Sequence, residues 1–207
     1  MGLKNDKKLN IAHFHWGFPP IIGGVETHLT LMCPALVRLG HSVSLLTGAA
    51  EGHPVEQTVD GIAVRRTPMM DLNWLVKRGF EALEEELRQE FDRYLEAAQP
   101  DLIHAHNMHY FSPLHARELH AQAKRRGVPL LLTAHNVWDD GEFLELTRQI
   151  GWDHIIAVSA FIQRELEAVG LPKEKITMIH HGIDLDRLAG ARRDHQALDA
   201  RFQGRRI

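Results

Sequence analysis

The sequence predicts an α/β domain built on a doubly wound parallel sheet. Short apolar segments with the character of β-strands alternate along the chain with amphipathic segments of helical periodicity. A helix that connects two parallel strands makes a right-handed crossover, so this alternation favours a parallel sheet. The 207 residues, 44% apolar and 25% charged, fit one globular domain of this class, or one and a half.

The first half of the chain contributes three predicted strands and two predicted helices. The helix over Gly24–Leu39 has apolar residues at helical spacing, and Gly40 is placed to end it. The second helix spans Asn73–Ala98, with core-facing residues on one side and charged residues on the other, and Pro100 closes it. The three strands are Leu9–His15, Ser42–Thr47 and Ile62–Thr67.

The second half continues the alternation without a repeat or a low-complexity tract. Ser112 precedes a proline at the start of one helix, and Ser159 is placed to cap another. The predicted helices are Ser112–Arg126, Asp140–Ile150 and Ser159–Val169. The predicted strands are Asp101–Ala105, Pro129–Thr133, His154–Val158 and Ile176–Ile179.

Composition narrows the class of protein. The net charge of −3 argues against a nucleic-acid partner. No apolar run approaches the length of a membrane span, and Met1–Lys8 is too polar for a signal peptide. The single cysteine, Cys33, excludes a disulfide framework. We expect a cytoplasmic protein with no transmembrane segment. Peripheral contact with the inner face of the membrane, through Trp74, Lys77 and Arg78, is the less favoured alternative.

The most unusual feature of the composition is its fifteen histidines. Ligands of doubly wound sheets bind at the carboxyl ends of the strands. Polar residues collect at those positions of the predicted strands, and histidines are prominent among them. They are His15, Thr47, His106-Asn107, Thr133–Asn136, Ser159 and His181–Asp184. The sequence therefore predicts a ligand site at one edge of the sheet, although any single histidine could instead bind loop backbone.

A glycine pair, Gly23-Gly24, lies between the first predicted strand and the first predicted helix. The N-terminus of a helix carries partial positive charge and unpaired backbone N–H groups, which suits it to bind anions. Glycine at this position lets a ligand approach the backbone closely. The pair therefore predicts a phosphate site, with a plain tight turn as the alternative.

Six segments, in the same order along the chain, resemble the N-terminal domain of family 4 glycosyltransferases. They are PPxxGGxExH (Pro19–His28), LGHxVxLLT (Leu39–Thr47), PDLIHAHN (Pro100–Asn107), LLTAHN (Leu131–Asn136), AVSxFxxxEL (Ala157–Leu166) and KITMIHHGID (Lys175–Asp184). The resemblance extends over about Leu9 to Leu188. It implies a Rossmann-like half of a GT-B fold. It also implies a retaining hexosyltransferase that moves a sugar from a nucleotide-diphosphate sugar to an acceptor hydroxyl.

The resemblance also implies roles for particular residues. Gly23 and Gly24 match the loop that approaches the donor diphosphate, where backbone donors can stabilise the leaving group without a metal or other cofactor. His135 matches the histidine beside the donor sugar at the reaction centre; a core or loop histidine is the alternative. Contacts to the acceptor or the sugar are implied for Glu26, His28, His106, Asn107 and Asn136, and a hinge at Gly182 and Asp184.

The sequence departs from the family pattern in two ways. His181 occupies the position where asparagine usually precedes the glycine. The second domain, with its basic pair and its two glutamates for the donor, has no counterpart after Asp184. We therefore expect residues 1–8 to be a disordered or tag-like start and 9–188 to be the acceptor-side domain. Residues 189–207 would lead toward a C-terminal donor-binding domain, without which the chain is expected to be inactive.

Other functions fit parts of the sequence. A metal-dependent hydrolase also uses His-x-His at a strand end, as in His13-Phe14-His15 and His104-Ala105-His106, but its usual barrel is longer than this chain. A dehydrogenase is disfavoured because the first turn lacks the G-x-G-x-x-G pattern. A non-catalytic module that binds an acceptor or a partner, and an epimerase of the same fold, remain as alternatives.

Overall fold

The computed structural model describes residues 7–80, 83–137 and 141–185, and eight strands in these ranges form one open sheet. The strands are β1 (Asn10–Phe14), β2 (Ser42–Gly48), β3 (Glu56–Val59), β4 (Ile62–Thr67), β5 (Leu102–His106), β6 (Leu130–Ala134), β7 (His154–Ala157) and β8 (Ile176–Met178). Their order across the sheet is β3-β4-β2-β1-β5-β6-β7-β8, and only the pair of β3 and β4 is antiparallel. The predicted doubly wound α/β class is confirmed.

Helices connect the parallel strands. They are α1 (Gly24–Arg38), α2 (Leu72–Arg78), α3 (Glu84–Ala98), α4 (Pro113–Arg126), α5 (Gly141–Gln149) and α6 (Ala160–Ala168). Polar side chains cap several N-termini by accepting backbone N–H groups: Asp71 for α2, Ser112 for α4 and Ser159 for α6. The predicted cap at Ser159 is therefore confirmed.

Apolar residues bury both faces of the sheet. In β2, Val43 and Leu45 point to one face of the sheet and belong to a small core beneath α1. Leu46 points to the opposite face and belongs to a larger core. The larger core includes side chains from α3, α4 and α6. Cys33 of α1 is fully buried, and this burial raises the pKa of its thiol to about 12, which makes it unreactive.

The structure corrects the sequence interpretation at one edge of the sheet. The segment before Ile62, for which no strand is predicted from the sequence, contains β3, which pairs with β4 so that Val59 lies opposite Ile62. Asp60 and Gly61 between them have φ angles of 50° and 82°, the positive values that a two-residue hairpin turn requires. The sheet therefore carries one antiparallel edge hairpin that the parallel prediction omitted.

The prediction of one continuous helix over Asn73–Ala98 is wrong. The structure has α2 and α3 instead, and α2 ends at Gly79, whose φ angle of 84° lies in the region that favours glycine. The Gly79 N–H closes the helix by donating to the Leu75 carbonyl at 2.8 Å. Phe80 nevertheless packs against the larger core, as the helical pattern predicted.

The strand order determines where a ligand can bind. β1 pairs with β2 on one side and with β5 on the other, so the connections from β1 and β5 leave in opposite directions. A crevice opens at the carboxyl ends of two such strands. The N-terminus of α1 and the segments after β5 and β6 meet at this edge.

Two predicted segments fall largely outside the described residues. These are the tail at 189–207, which lies wholly outside, and most of the start at 1–8. Within the described ranges, the helices lack the combined length and apolarity that crossing a membrane requires.

Candidate active site

Three histidines lie side by side in the interior of the sheet. His104 and His106 share one face of β5 because they are two residues apart, and their ring centroids are 4.2 Å apart. The register of the parallel pair places His13 of β1 beside His104, with ring centroids at 4.9 Å. All three side chains are buried.

Contacts between ring nitrogens continue from these histidines to the surface. Nδ1 of His13 lies 3.1 Å from Nε2 of His106, and Nδ1 of His106 lies 3.1 Å from Nε2 of His135. Nδ1 of His135 in turn lies 2.9 Å from Nε2 of His181, which is exposed. Four imidazoles thus form one hydrogen-bonded line, which we call the histidine line.

A fifth ring joins the outer end of the histidine line. His28 of α1 stacks on His181 with ring centroids 4.4 Å apart and planes inclined by 24°. Its centroid is also 5.2 Å from that of His135. His28, His135 and His181 form what we call the outer trio, contributed by a helix, the segment after β6 and the segment after β8.

These rings are neutral at physiological pH. Burial, reinforced by repulsion from neighbouring histidines, lowers the pKa of His135 to about 2 and that of His28 to about 4. The same causes lower the pKa of His13 to about 3 and hold those of His104 and His106 well below the ordinary value. The histidine line is therefore suited to hydrogen bonding and metal ligation rather than to supplying a positive charge.

A contact between His15 and Glu26 lies beside the histidine line. His15 directs Nδ1 at the His106 carbonyl oxygen, 3.1 Å away, and Nε2 at Oε1 of Glu26, 3.3 Å away. Both partners are acceptors, so each contact is a hydrogen bond when the ring nitrogen that faces it carries a proton. The hydrogen bond from His15 lowers the pKa of the Glu26 carboxyl and keeps it ionised.

The start of α1 is open to a ligand. Gly23 is the N-cap and supplies no side-chain acceptor, whereas the Glu26 carboxylate accepts its own backbone N–H in the first turn. A Cβ built on Gly24 would have no neighbour within 4 Å. By contrast, a Cβ on Gly23 would lie 2.1 Å from Oε2 of Glu26, so a larger residue there would displace the Glu26 carboxylate.

A cleft of about 370 Å³ lies at this edge of the sheet. Five of the residues that line it were singled out from the sequence: Gly24, Glu26, Asn107, His135 and Asn136. Asn107 has a φ angle of 52° and its Oδ1 accepts the backbone N–H of His135 at 2.8 Å, which fixes the start of that segment. The cleft therefore brings the helix N-terminus and His135 to a single concave surface.

The sequence model of Glycosyltransferase Family 4 matches residues 22–187. This chain belongs to Glycosyltransferase Family 4. It is 29% identical over 214 residues to the glycogen synthase of Mycobacterium tuberculosis, a match that covers 86% of this chain and 49% of that protein. The family 4 chain thus spans about half the length of the curated relatives it matches.

Solved structures share the fold of this family 4 chain at low sequence identity. Anabaena Alr3699/HepE in complex with UDP-glucose aligns with a TM-score of 0.60 and 15% identity, over 94% of this chain and 49% of that one. Sucrose-phosphate synthase from Thermosynechococcus elongatus aligns with a TM-score of 0.60 and 18% identity, over 93% of this chain and 97% of the solved one. The fold is the expected half of a GT-B structure.

Not every predicted site residue of the family 4 chain lines the cleft with His135. His28, Gly182 and Asp184 line a neighbouring groove of about 940 Å³ between α1 and the segment after β8. His106, predicted near a sugar, is fully buried and contacts two residues of the cleft lining, His135 and His15. Contact of His106 with a sugar stays a prediction, and it would require exposure of a side chain that is fully buried in this structure.

Two further contributors to the cleft were not proposed as site residues from the sequence. His181 was noted as a departure from the family pattern and as one of the polar residues at strand ends, and its stacking on His28 depends on how α1 and β8 come together. Trp16 also lines the cleft, and in the sequence it follows His15, the first residue after β1. A signal for both was present, because each follows a predicted strand at its carboxyl end.

Proposed function

We propose that this family 4 chain is the acceptor-side half of a retaining glycosyltransferase. The enzyme transfers a hexose from a nucleotide-diphosphate sugar to an acceptor hydroxyl. The observation that carries the proposal is the single cleft shared by the open N-terminus of α1 and His135. It is supported by the relatives, one of which is named as a glycogen synthase and another as binding UDP-glucose.

The start of α1 would receive the donor diphosphate. The first-turn N–H groups and the helix dipole stabilise negative charge there, and this charge grows on the leaving group as the glycosidic bond breaks. The open space around Gly24 allows the phosphate oxygens to approach the backbone. Backbone donors fulfil this role without a metal ion, so we propose a transfer that requires no metal or other cofactor.

His135 would act as a neutral hydrogen-bonding group beside the donor sugar. Its pKa of about 2 excludes a proton-donating imidazolium at neutral pH, so it orients a hydroxyl rather than protonating a leaving group. The side chain of Asn107 accepts a hydrogen bond from the His135 backbone N–H, and Nδ1 of His106 lies 3.1 Å from Nε2 of His135. A hydroxyl that reaches Nδ1 takes the place of His181, which lies 2.9 Å away in this structure.

The proposed enzyme has a second domain that binds the nucleotide base. The segment with Gly182 and Asp184 follows the last strand and is proposed as the hinge. We propose that the present chain alone transfers no sugar, because it spans about half the length of the curated relatives it matches. A cytoplasmic location is part of the proposal and is supported by the single cysteine, Cys33, which is buried and free.

The test uses the protein from its native source, whose intact mass shows whether it exceeds the 23.5 kDa of this chain. Transfer from UDP-, ADP- and GDP-hexoses is followed by release of the nucleoside diphosphate, and the anomeric configuration of the product by NMR. His135→Asn is expected to lower kcat about 100-fold, the usual effect of losing one positioned polar group. His53→Asn, at an exposed histidine outside the cleft, is the matched control.

Three results would contradict the proposal. The first is turnover by the isolated 207-residue chain, which would show that this part of the enzyme is sufficient for sugar transfer. The second is an unchanged kcat in His135→Asn when its melting temperature equals that of His53→Asn. The third is a product with inverted anomeric configuration, which would contradict the retaining mechanism but not the assignment as a transferase.

A further inference from the structure

We propose that the outer trio, His28, His135 and His181, binds one divalent transition-metal ion, with Zn²⁺ as the first candidate. Each residue offers one ring nitrogen, and the three ligand atoms lie within 4.8 Å of one another. Three histidine ligands and one open position are a common arrangement at zinc sites that exchange ligands. Binding of the ion does not depend on the proposed transfer.

The spacing of the nitrogens is close to that of a tetrahedral site. Zinc–nitrogen bonds of about 2.0–2.1 Å at tetrahedral angles separate two ligand nitrogens by about 3.4 Å. Nδ1 of His135 and Nε2 of His181 are 2.9 Å apart, so an ion can replace their shared proton with a small outward rotation of His181. His181 is exposed and lies after the last strand, where such a rotation meets little resistance.

The inner part of the histidine line provides support for a bound ion. A metal at Nδ1 of His135 leaves the ring proton on Nε2, which lies 3.1 Å from Nδ1 of His106. His106 then carries its own proton on Nε2 and donates it to Nδ1 of His13, also at 3.1 Å. A ligating histidine in proteins usually donates its second N–H to such a partner, which fixes its tautomer and orientation.

A second group, which we call the inner trio, has comparable spacing but a poorer environment. His13, His104 and His106 offer ligand atoms within 4.8 Å, yet all three are buried. His104 Nε2 is occupied by Oγ1 of Thr133 at 2.7 Å. Two members of the outer trio, His135 and His181, instead line the cleft, where a further ligand can reach a bound ion. An all-imidazole ligand set favours zinc, copper or nickel over magnesium and calcium, which prefer oxygen.

Metal binding is measured on tag-free protein, because a polyhistidine tag would bind the same ions. Isothermal titration with Zn²⁺ is expected to give one site per chain, and Co²⁺ to give the visible absorption bands of tetrahedral coordination. His181→Asn is expected to weaken Zn²⁺ binding at least 10-fold and to remove the Co²⁺ bands. His180→Asn is the matched control, since this exposed neighbour contacts the Val158 carbonyl instead of the trio.

Several results would overturn the proposal. One is the absence of a one-to-one site for Zn²⁺ in the wild-type chain. Another is equal affinity in His181→Asn and His180→Asn, which would move the ion to the inner trio or to the surface. The assay requires no turnover, so failure of metal binding leaves the proposed transfer standing, and failure of transfer leaves the metal site standing.

A bound ion and a donor sugar exclude each other at His135, a consequence that rests on the proposed function. Both would use Nδ1 of that ring. Zn²⁺ is therefore expected to inhibit transfer by the native-source enzyme, and a chelator to reverse the inhibition. Inhibition of His181→Asn at the same Zn²⁺ concentration as wild type would contradict this competition.

Discussion

His115 makes the stability of this fold sensitive to acid. The side chain is buried, with Nε2 2.7 Å from the Met69 carbonyl oxygen and Nδ1 2.7 Å from Oγ of Ser112. The carbonyl can only accept, so Nε2 carries the proton and Nδ1 accepts from the Ser112 hydroxyl. Both hydrogen bonds are satisfied by the neutral ring, and a second proton on Nδ1 would make the Ser112 hydroxyl the acceptor and leave a charged ring buried.

Burial lowers the pKa of His115 from 6.5 to about 4. The unfolded chain therefore takes up a proton near pH 6.5, whereas the folded chain resists it until about pH 4. The stability contributed by the neutral ring is complete above pH 6.5 and is lost as the pH falls toward 4. The loss is about 2 kcal/mol at pH 5 and about 3 kcal/mol at pH 4 and below.

His115→Gln removes this titration and keeps a side chain that can donate to Met69. Urea unfolding at pH 7.5 and pH 5.0 is expected to show that wild type loses about 2 kcal/mol more than the variant. His53→Gln, at an exposed position, is the control and is expected to follow wild type. Equal losses in wild type and His115→Gln would refute the assignment of this acid sensitivity to His115.

Two further substitutions test the packing. Gly48→Ala places a Cβ 2.5 Å from the Trp16 carbonyl oxygen and 2.8 Å from that of Met70, so the backbone must shift. We expect a loss of roughly 1–3 kcal/mol in urea unfolding, and a neutral result would contradict this crowding. Ser159→Ala removes the acceptor of the Ile162 N–H and is expected to cost about 1 kcal/mol, restored by Ser159→Asp but not by Ser159→Val.

Local patterns in the sequence were sufficient for most of the fold. Alternation of strands and helices gave the doubly wound class, and six of the segments carried the family resemblance. The two errors had local signals that were overlooked. Asp60-Gly61 is a common hairpin turn, and it predicts the edge strand at Glu56–Val59. Gly79 interrupts the helical pattern, and its positive φ angle ends the helix there.

The candidate site was predicted less completely because its geometry depends on tertiary packing. The sharing of a face by His104 and His106 follows from the two-residue period of a strand. The contact of His13 with His104 also requires the register between β1 and β5, which is established by the whole sheet. The stacking of His28 on His181 requires α1 and the segment after β8 to meet, and neither segment alone indicates this.

The central position of β1 has a consequence for the order in which the chain folds. Its partner β2 follows soon after it, but its other partner, β5, ends at His106. The hydrogen bond from the Asn10 N–H to Asp101 joins residues 91 positions apart. At ribosomal rates, the synthesis of β5 is complete roughly 3–12 s after that of β2, and one edge of β1 lacks its native partner during this time. We therefore expect pairing of β1 with β5 to be a slow, non-local step of folding.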